Sequence, residues 1–267
     1  LVEQSELRNI KCEVGIRIYS LKEDPENPKF LGYWDCGVPH SIGVHRFMYN
    51  GGRYVYLSCE AERFEGMIMR IVDIADPTHP VEVGNWWSPE QFVDGYPGRT
   101  VDHTAAHVPA FMDKGWMHGP PYVREDGLCF CGYCGDGLYI LDVNDVTRPK
   151  CVGNLRLQPV FSSHLAGART HTALPLPGRD LVVVTNEGER FQFFPPGSIT
   201  EAQALNNIHM IDVRDPSKPT LIAEFPYPEV PKDFPYPNFN VMNLGCQGPF
   251  GPHNLHEPMS GKPWLEQ

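Results

Sequence analysis

Short apolar runs separated by proline and glycine turns extend along the chain, and one arrangement of them recurs. The segments MRIVDIADPTHPVEVGNW (69–86), LYILDVNDVTRPKCVGNL (138–155) and IHMIDVRDPSKPTLIAEF (208–225) share one order: an apolar strand, an aspartate, a tight turn closed by proline, and a second strand. A degenerate copy, IRIYSLKEDPENPKFLGYW, occupies 16–34. Runs of this length, rich in Val, Ile, Leu and Tyr and bounded by Asp-Pro turns, read as antiparallel hairpins. The turn aspartates Asp24, Asp76, Asp145 and Asp215 recur at 52, 69 and 70 residues. A compact propeller blade repeats at roughly 40 to 50, so long insertions are expected inside the repeats.

Two further strand candidates precede each good copy: HRFMYNGGRYVYLSCE (45–60), HGPPYVREDGLCFCGYCGD (118–136) and HTALPLPGRDLVVVTNE (171–187). The unit is therefore four strands, A to D, running outward from a central channel as in a propeller blade. The 27 prolines and 25 glycines fit a turn-rich all-β chain with few helices. The expected fold class is an all-β β-propeller. It has about three complete four-stranded blades and partial blades at both ends, as part of a six- or seven-bladed ring. Residues 1–267 are expected to form a single propeller domain, incomplete at the C-terminus, with the missing strands supplied by further sequence or a second chain.

The strands RIVDI, YILDV and HMIDV, each leading into a D-P or D-V turn with a following proline, resemble those of the LVIVD-repeat family of β-propellers. Three good copies and one weak one cover most of the chain. The resemblance implies the fold and leaves the activity open, because the family is not defined by one reaction.

In an antiparallel blade the A-to-B and C-to-D turns share one face, and the B-to-C and D-to-A connections share the other. The long segments 88–117, 158–170, 188–207 and 227–252 then all decorate the second face, the expected working face. Strand A begins on that face, and there stand His45, His118, His171 and, opening a further blade, His253. One histidine per blade at one structural position predicts four imidazoles converging on the channel axis, a ligand set for a transition-metal ion. The alternative is a structural repeat in which each histidine holds strand A in register. Glu60, Asp136 and Glu187 close the B strands beside those histidines and are expected to accept the N–H of the imidazole nitrogen not bound to metal.

More histidines fall on the same face. His103 and His107, spaced H-x-x-x-H, and His256 are candidates for proton transfer, with loop hydrogen bonding as the alternative; His40 and His164 lie there too, while His79 and His209 read as structural. Aromatic residues crowd these insertions, among them Trp86, Trp87, Phe92 and Trp116, and would suit an aromatic or hydrophobic small molecule. Cys129, Cys131 and Cys134 in LCFCGYC read as buried strand thiols, with a thiolate metal or redox site as the alternative.

A net charge of −11 leaves no basic stripe for phosphate backbones, so no nucleic-acid partner is expected. No run of about 18 to 20 apolar residues is present to span a membrane. Eight cysteines scattered through a chain of this size suggest a reducing, cytoplasmic location, unless a leader has been removed. With no nucleophile elbow, phosphate loop or dinucleotide fingerprint, chemistry is expected from the ion. The first reading is a metal-dependent oxidoreductase or oxygenase acting on a small aromatic or hydrophobic substrate, with iron first and copper, manganese or zinc as alternatives. Second comes a metal-dependent lyase or hydrolase, and third a non-catalytic scaffold that binds a protein or ligand.

Overall fold

Each Asp-Pro hairpin forms because its aspartate closes its own turn. Asp76 Oδ1 accepts the Thr78 backbone N–H at 2.9 Å and the Thr78 hydroxyl at 2.6 Å. Asp145 does the same with Thr147, and Asp215 with Ser217. These local donors favour the ionised carboxylate and hold all three aspartates below their ordinary range. The recurring turn, D-P-x-x-P at Asp76 and Asp215 and D-V-x-x-P at Asp145, is thus capped by its aspartate side chain.

The computed structural model describes residues 13–38, 41, 43–49, 51–93, 116–157, 169–187, 208–225 and 254–255. Within them β1 (Gly15–Ser20) and β2 (Lys29–Asp35) form a two-stranded sheet. Three antiparallel four-stranded sheets follow, each in sequence order. The first contains β3 (Val44–Met48), β4 (Tyr54–Glu60), β5 (Met67–Asp73) and β6 (Val81–Trp86). The second contains β7 (Tyr122–Val123), β8 (Leu128–Tyr133), β9 (Gly137–Asp142) and β10 (Lys150–Leu155). The third contains β11 (Arg169–Pro175), β12 (Leu181–Glu187), β13 (Ile208–Asp212) and β14 (Thr220–Glu224). These are the three four-stranded blades and the N-terminal outer pair of a β-propeller. Among the described residues no helix is long and apolar enough to cross a membrane.

The core lies between blades, because the middle strands are apolar on both faces. Leu57, Cys59 and Val72 of the first blade pack on Trp34 and Cys36 from the N-terminal pair. Met69 and Ile71 pack on Cys129, Cys131 and Leu141 of the second blade. Phe130 and Ile140 in turn pack on Val182, Val184 and Ile211 of the third. Outer strands carry glycine where the next blade's turn presses in: a methyl group on Gly84 would stand 1.9 Å from the Val146 carbonyl oxygen, and one on Gly153 2.1 Å from that of Pro216. Arg70 ties the first two units together. Its guanidinium pairs with Glu82, donates to the carbonyls of Cys36 (2.7 Å) and Glu60 (2.9 Å), and lies 4.7 Å over the Trp34 ring.

Candidate metal centre

The inner strands leave regular pairing at their histidines. In β3 the register with β4 passes from Val44↔Cys59 to Arg46↔Ser58, so His45 is the extra residue of a β-bulge. In β11 it passes from Thr170↔Asn186 to Thr172↔Thr185, and His171 is the extra residue. The second blade reaches the same end differently. Met117 bridges Tyr133, the His118 N–H donates to the Gly132 carbonyl at 3.1 Å, and pairing resumes only at Tyr122↔Phe130. Pro120 and Pro121 occupy the gap, where they cost no ladder bond. A bulge breaks strict alternation and re-aims one side chain. Here each departure from the ladder falls at or directly beside a histidine that meets the other two.

His45, His118 and His171 consequently meet, their ligand nitrogens all within 4.8 Å of one another. The His45 and His118 rings stack with centroids 4.7 Å apart and planes 16° from parallel, and His171 stands edge-on to His118, also at 4.7 Å. Trp116 closes a further side, 4.7 Å from the His118 ring. His171 is fully buried, His118 nearly so and His45 half-buried. His171 Nδ1 lies 2.7 Å from the Thr172 hydroxyl, a contact that orients the ring.

Backbone contacts hold the three blades in this arrangement. The Ser58 hydroxyl donates to the Met117 carbonyl at 2.9 Å, fixing the approach to His118 from the first blade. The Thr170 N–H donates to Cys134 at 3.2 Å, fixing the approach to His171 from the second. Methyl groups on Gly119 or Gly132 would both stand 1.9 Å from the His171 carbonyl oxygen. Thr172, Gly119 and Gly132 were not singled out by sequence reasoning, and THT around His171 was the one available signal, a hydroxyl flanking the ring on either side.

The residues fit a first-row transition metal. Bonds of about 2.0–2.1 Å to imidazole nitrogen separate tetrahedral ligand atoms by about 3.3 Å, so the three rings, whose nitrogens now lie within 4.8 Å of one another, would draw closer around an ion. Three neutral nitrogens suit zinc, copper, iron or nickel alike; the identity of the ion does not follow from them.

The expected carboxylate partners fare differently. Glu60 is buried at the end of β4, where its backbone carbonyl is held by Arg70. The Asp136 carboxylate accepts from Arg156 at 3.0 Å through Oδ1 and from Tyr139 at 3.3 Å through Oδ2, contacts that face the outer strands. The cause is local. β8 ends at Tyr133, and Asp136 already stands in the turn that Gly137, at φ +86°, carries into β9. Glu187 ends β12, and its side chain lies outside the described residues. So do His253 and the proton-transfer candidates His103, His107 and His256, together with His40 and His164. Leu255, however, is described: it packs against Met48, Tyr122 and Leu174 of the three inner strands, and the Tyr122 hydroxyl donates to its carbonyl. Those three residues lie three or four positions after their blades' histidines, and Leu255 lies two after His253.

His79 is exposed in its turn, beside Asp76. His209 is buried between strands, its Nε2 2.7 Å from Asn186 Oδ1 and its Nδ1 2.9 Å from Glu224 Oε1. Burial depresses its pKa, and the Glu224 charge offsets that only in part. The six described cysteines are free thiols, with Cys129, Cys131 and Cys134 wholly buried.

The sequence profile described as the LVIVD repeat matches residues 65–87, which hold β5, the Asp-Pro turn and β6. No curated protein sequence matches the chain. Among solved structures, the periplasmic gluconolactonase PpgL of Pseudomonas aeruginosa is similar, with a TM-score of 0.44 and 11% identity. The alignment covers 82% of this chain and 66% of that one, so the chain spans just under two thirds of its length. Residues 65–87 are an LVIVD repeat, and it forms the outer half of a β-propeller blade.

Proposed function

We propose that this protein is a metal-dependent enzyme in which His45, His118 and His171 hold one divalent ion, and that its reaction is hydrolysis or elimination on a small molecule. The observation that carries the proposal is the meeting of three imidazoles from three separate blades, each placed by an interruption in its inner strand. A structural register residue needs no such convergence.

Three neutral ligands leave the ion's charge uncompensated and its remaining positions open, so a bound ion would polarise a substrate oxygen and acidify a bound water towards neutrality. The protein's own part is orientation. Thr172 fixes the His171 ring, and Trp116 and His45 flank His118 on its faces. Trp116 also gives the site an aromatic wall, which favours a substrate with a flat or apolar portion. Hydrolysis or elimination needs no co-substrate beyond water, and this places it ahead of the oxidoreductase reading, which shares the same ligands.

The test is a panel of small aryl esters and β-substituted carbonyl compounds, assayed before and after chelation and after return of zinc, manganese or iron. Turnover that disappears on chelation and returns with metal is expected. Metal-independent turnover would remove the Lewis-acid role, and dioxygen uptake coupled to substrate loss would replace it with the oxygenase reading.

A further inference from the structure

A second set of metal-ligating atoms lies outside the histidine centre, in the core between the first and second blades. Cys129 and Cys131 occupy successive same-face positions of β8, where Cα atoms stand about 6.6 Å apart. Their Sγ atoms nevertheless approach to 3.6 Å, and the Met69 thioether of β5 lies 3.9 Å from Cys129 Sγ. All three side chains are fully buried, among Ile71, Met117 and Leu141.

We propose that Cys129, Cys131 and Met69 form a site for copper(I). Sulfur donors at about 2.3 Å around a trigonal ion stand about 4.0 Å from one another, so the Cys129–Cys131 and Cys129–Met69 separations need to change by only a few tenths of an ångström. Two thiols and a thioether are soft, polarisable donors, the kind that select copper(I) over harder ions. Burial pushes the Cys131 thiol up, which keeps it protonated until an ion displaces the proton. Binding replaces two S–H bonds with two S–Cu bonds, releases two protons to solvent and leaves the ion's oxidation state unchanged. Because none of the three sulfurs is exposed, the ion enters as the blades close on one another, and loading is coupled to folding.

The experiment uses full-length protein produced in copper-supplemented cells and purified without oxygen, with bathocuproine disulfonate as the competing probe. X-ray absorption at the copper edge is expected to show three sulfur neighbours near 2.3 Å. Copper should persist in the His45→Ala/His118→Ala/His171→Ala variant, which separates this site from the histidine centre. It should be lost in Cys129→Ala/Cys131→Ala. Should that double variant fail to fold, Met69→Leu, which preserves volume, is expected to lose one sulfur neighbour and to yield its copper to less chelator. Wild-type protein without copper, copper bound only by nitrogen or oxygen, or copper unaffected by Met69→Leu would overturn the site while leaving the histidine centre standing.

Discussion

The carbonyl oxygen of His171 occupies the space where a side chain on Gly132 would begin: a methyl group there would stand 1.9 Å from it. Two blades therefore meet through a hole in one of them, at the residue that supplies a candidate ligand. Gly132→Ala should push the His171 backbone away and cost about 1–3 kcal/mol by overpacking. Metal retention should fall in this variant although no ligand has changed. Chemical denaturation together with chelator competition checks both effects, and a stable variant that retains metal normally would show that His171 does not depend on this contact.

Asp136 should be dispensable for the ion. Its carboxylate bonds Arg156 and Tyr139, and Arg156 is largely exposed, so Asp136→Asn is expected to cost roughly 1 kcal/mol of stability and to leave metal affinity unchanged. Glu60→Gln, at the buried end of β4, is the paired comparison; the proposal that Glu60 supports a ligand histidine requires weaker retention, by roughly 10- to 100-fold. Equal behaviour of the two variants would dismiss Glu60 as a partner.

His209 should make stability pH-dependent. Its folded pKa lies below the ordinary 6.5 because it is buried, so the unfolded chain takes up the proton more readily. The corresponding stability is present in full above pH 6.5 and is lost as pH falls from there through the lowered folded value. Urea midpoints measured from pH 8 to 5 should decline for the wild type and decline less for His209→Gln. Identical slopes would remove His209 as the cause.

The hairpins were legible because Asp76, Asp145 and Asp215 each close a turn with a residue two positions on, a wholly local interaction. The meeting of His45, His118 and His171 was legible because blade repetition turns equal position in sequence into proximity in space. The Arg156 and Tyr139 contacts of Asp136 were not legible, because they depend on where β8 stops, at Tyr133, and on the turn that Gly137 carries into β9. Met69 with Cys129 and His209 with Glu224 were beyond reach: one contact joins residues 60 positions apart across a blade boundary, and the other depends on side-chain direction within a sheet.

His253 is the fourth ligand that the blade repeat proposes. The Leu255 contacts with Met48, Tyr122 and Leu174 bring the chain to the inner strands two residues beyond it. His253→Ala is accordingly expected to weaken metal binding at least about tenfold in a chelator titration. Unchanged affinity would limit the centre to three histidines.

Whether His45, His118 and His171 hold one ion across three blades is decided by metal content. Elemental analysis of the purified wild type should find about one equivalent of a divalent transition metal, removable by chelation. The His45→Ala/His118→Ala/His171→Ala variant, folded by circular dichroism, should contain none of it. Wild-type protein that never takes up a divalent ion, or a variant that binds it as well as the wild type does, would contradict the account.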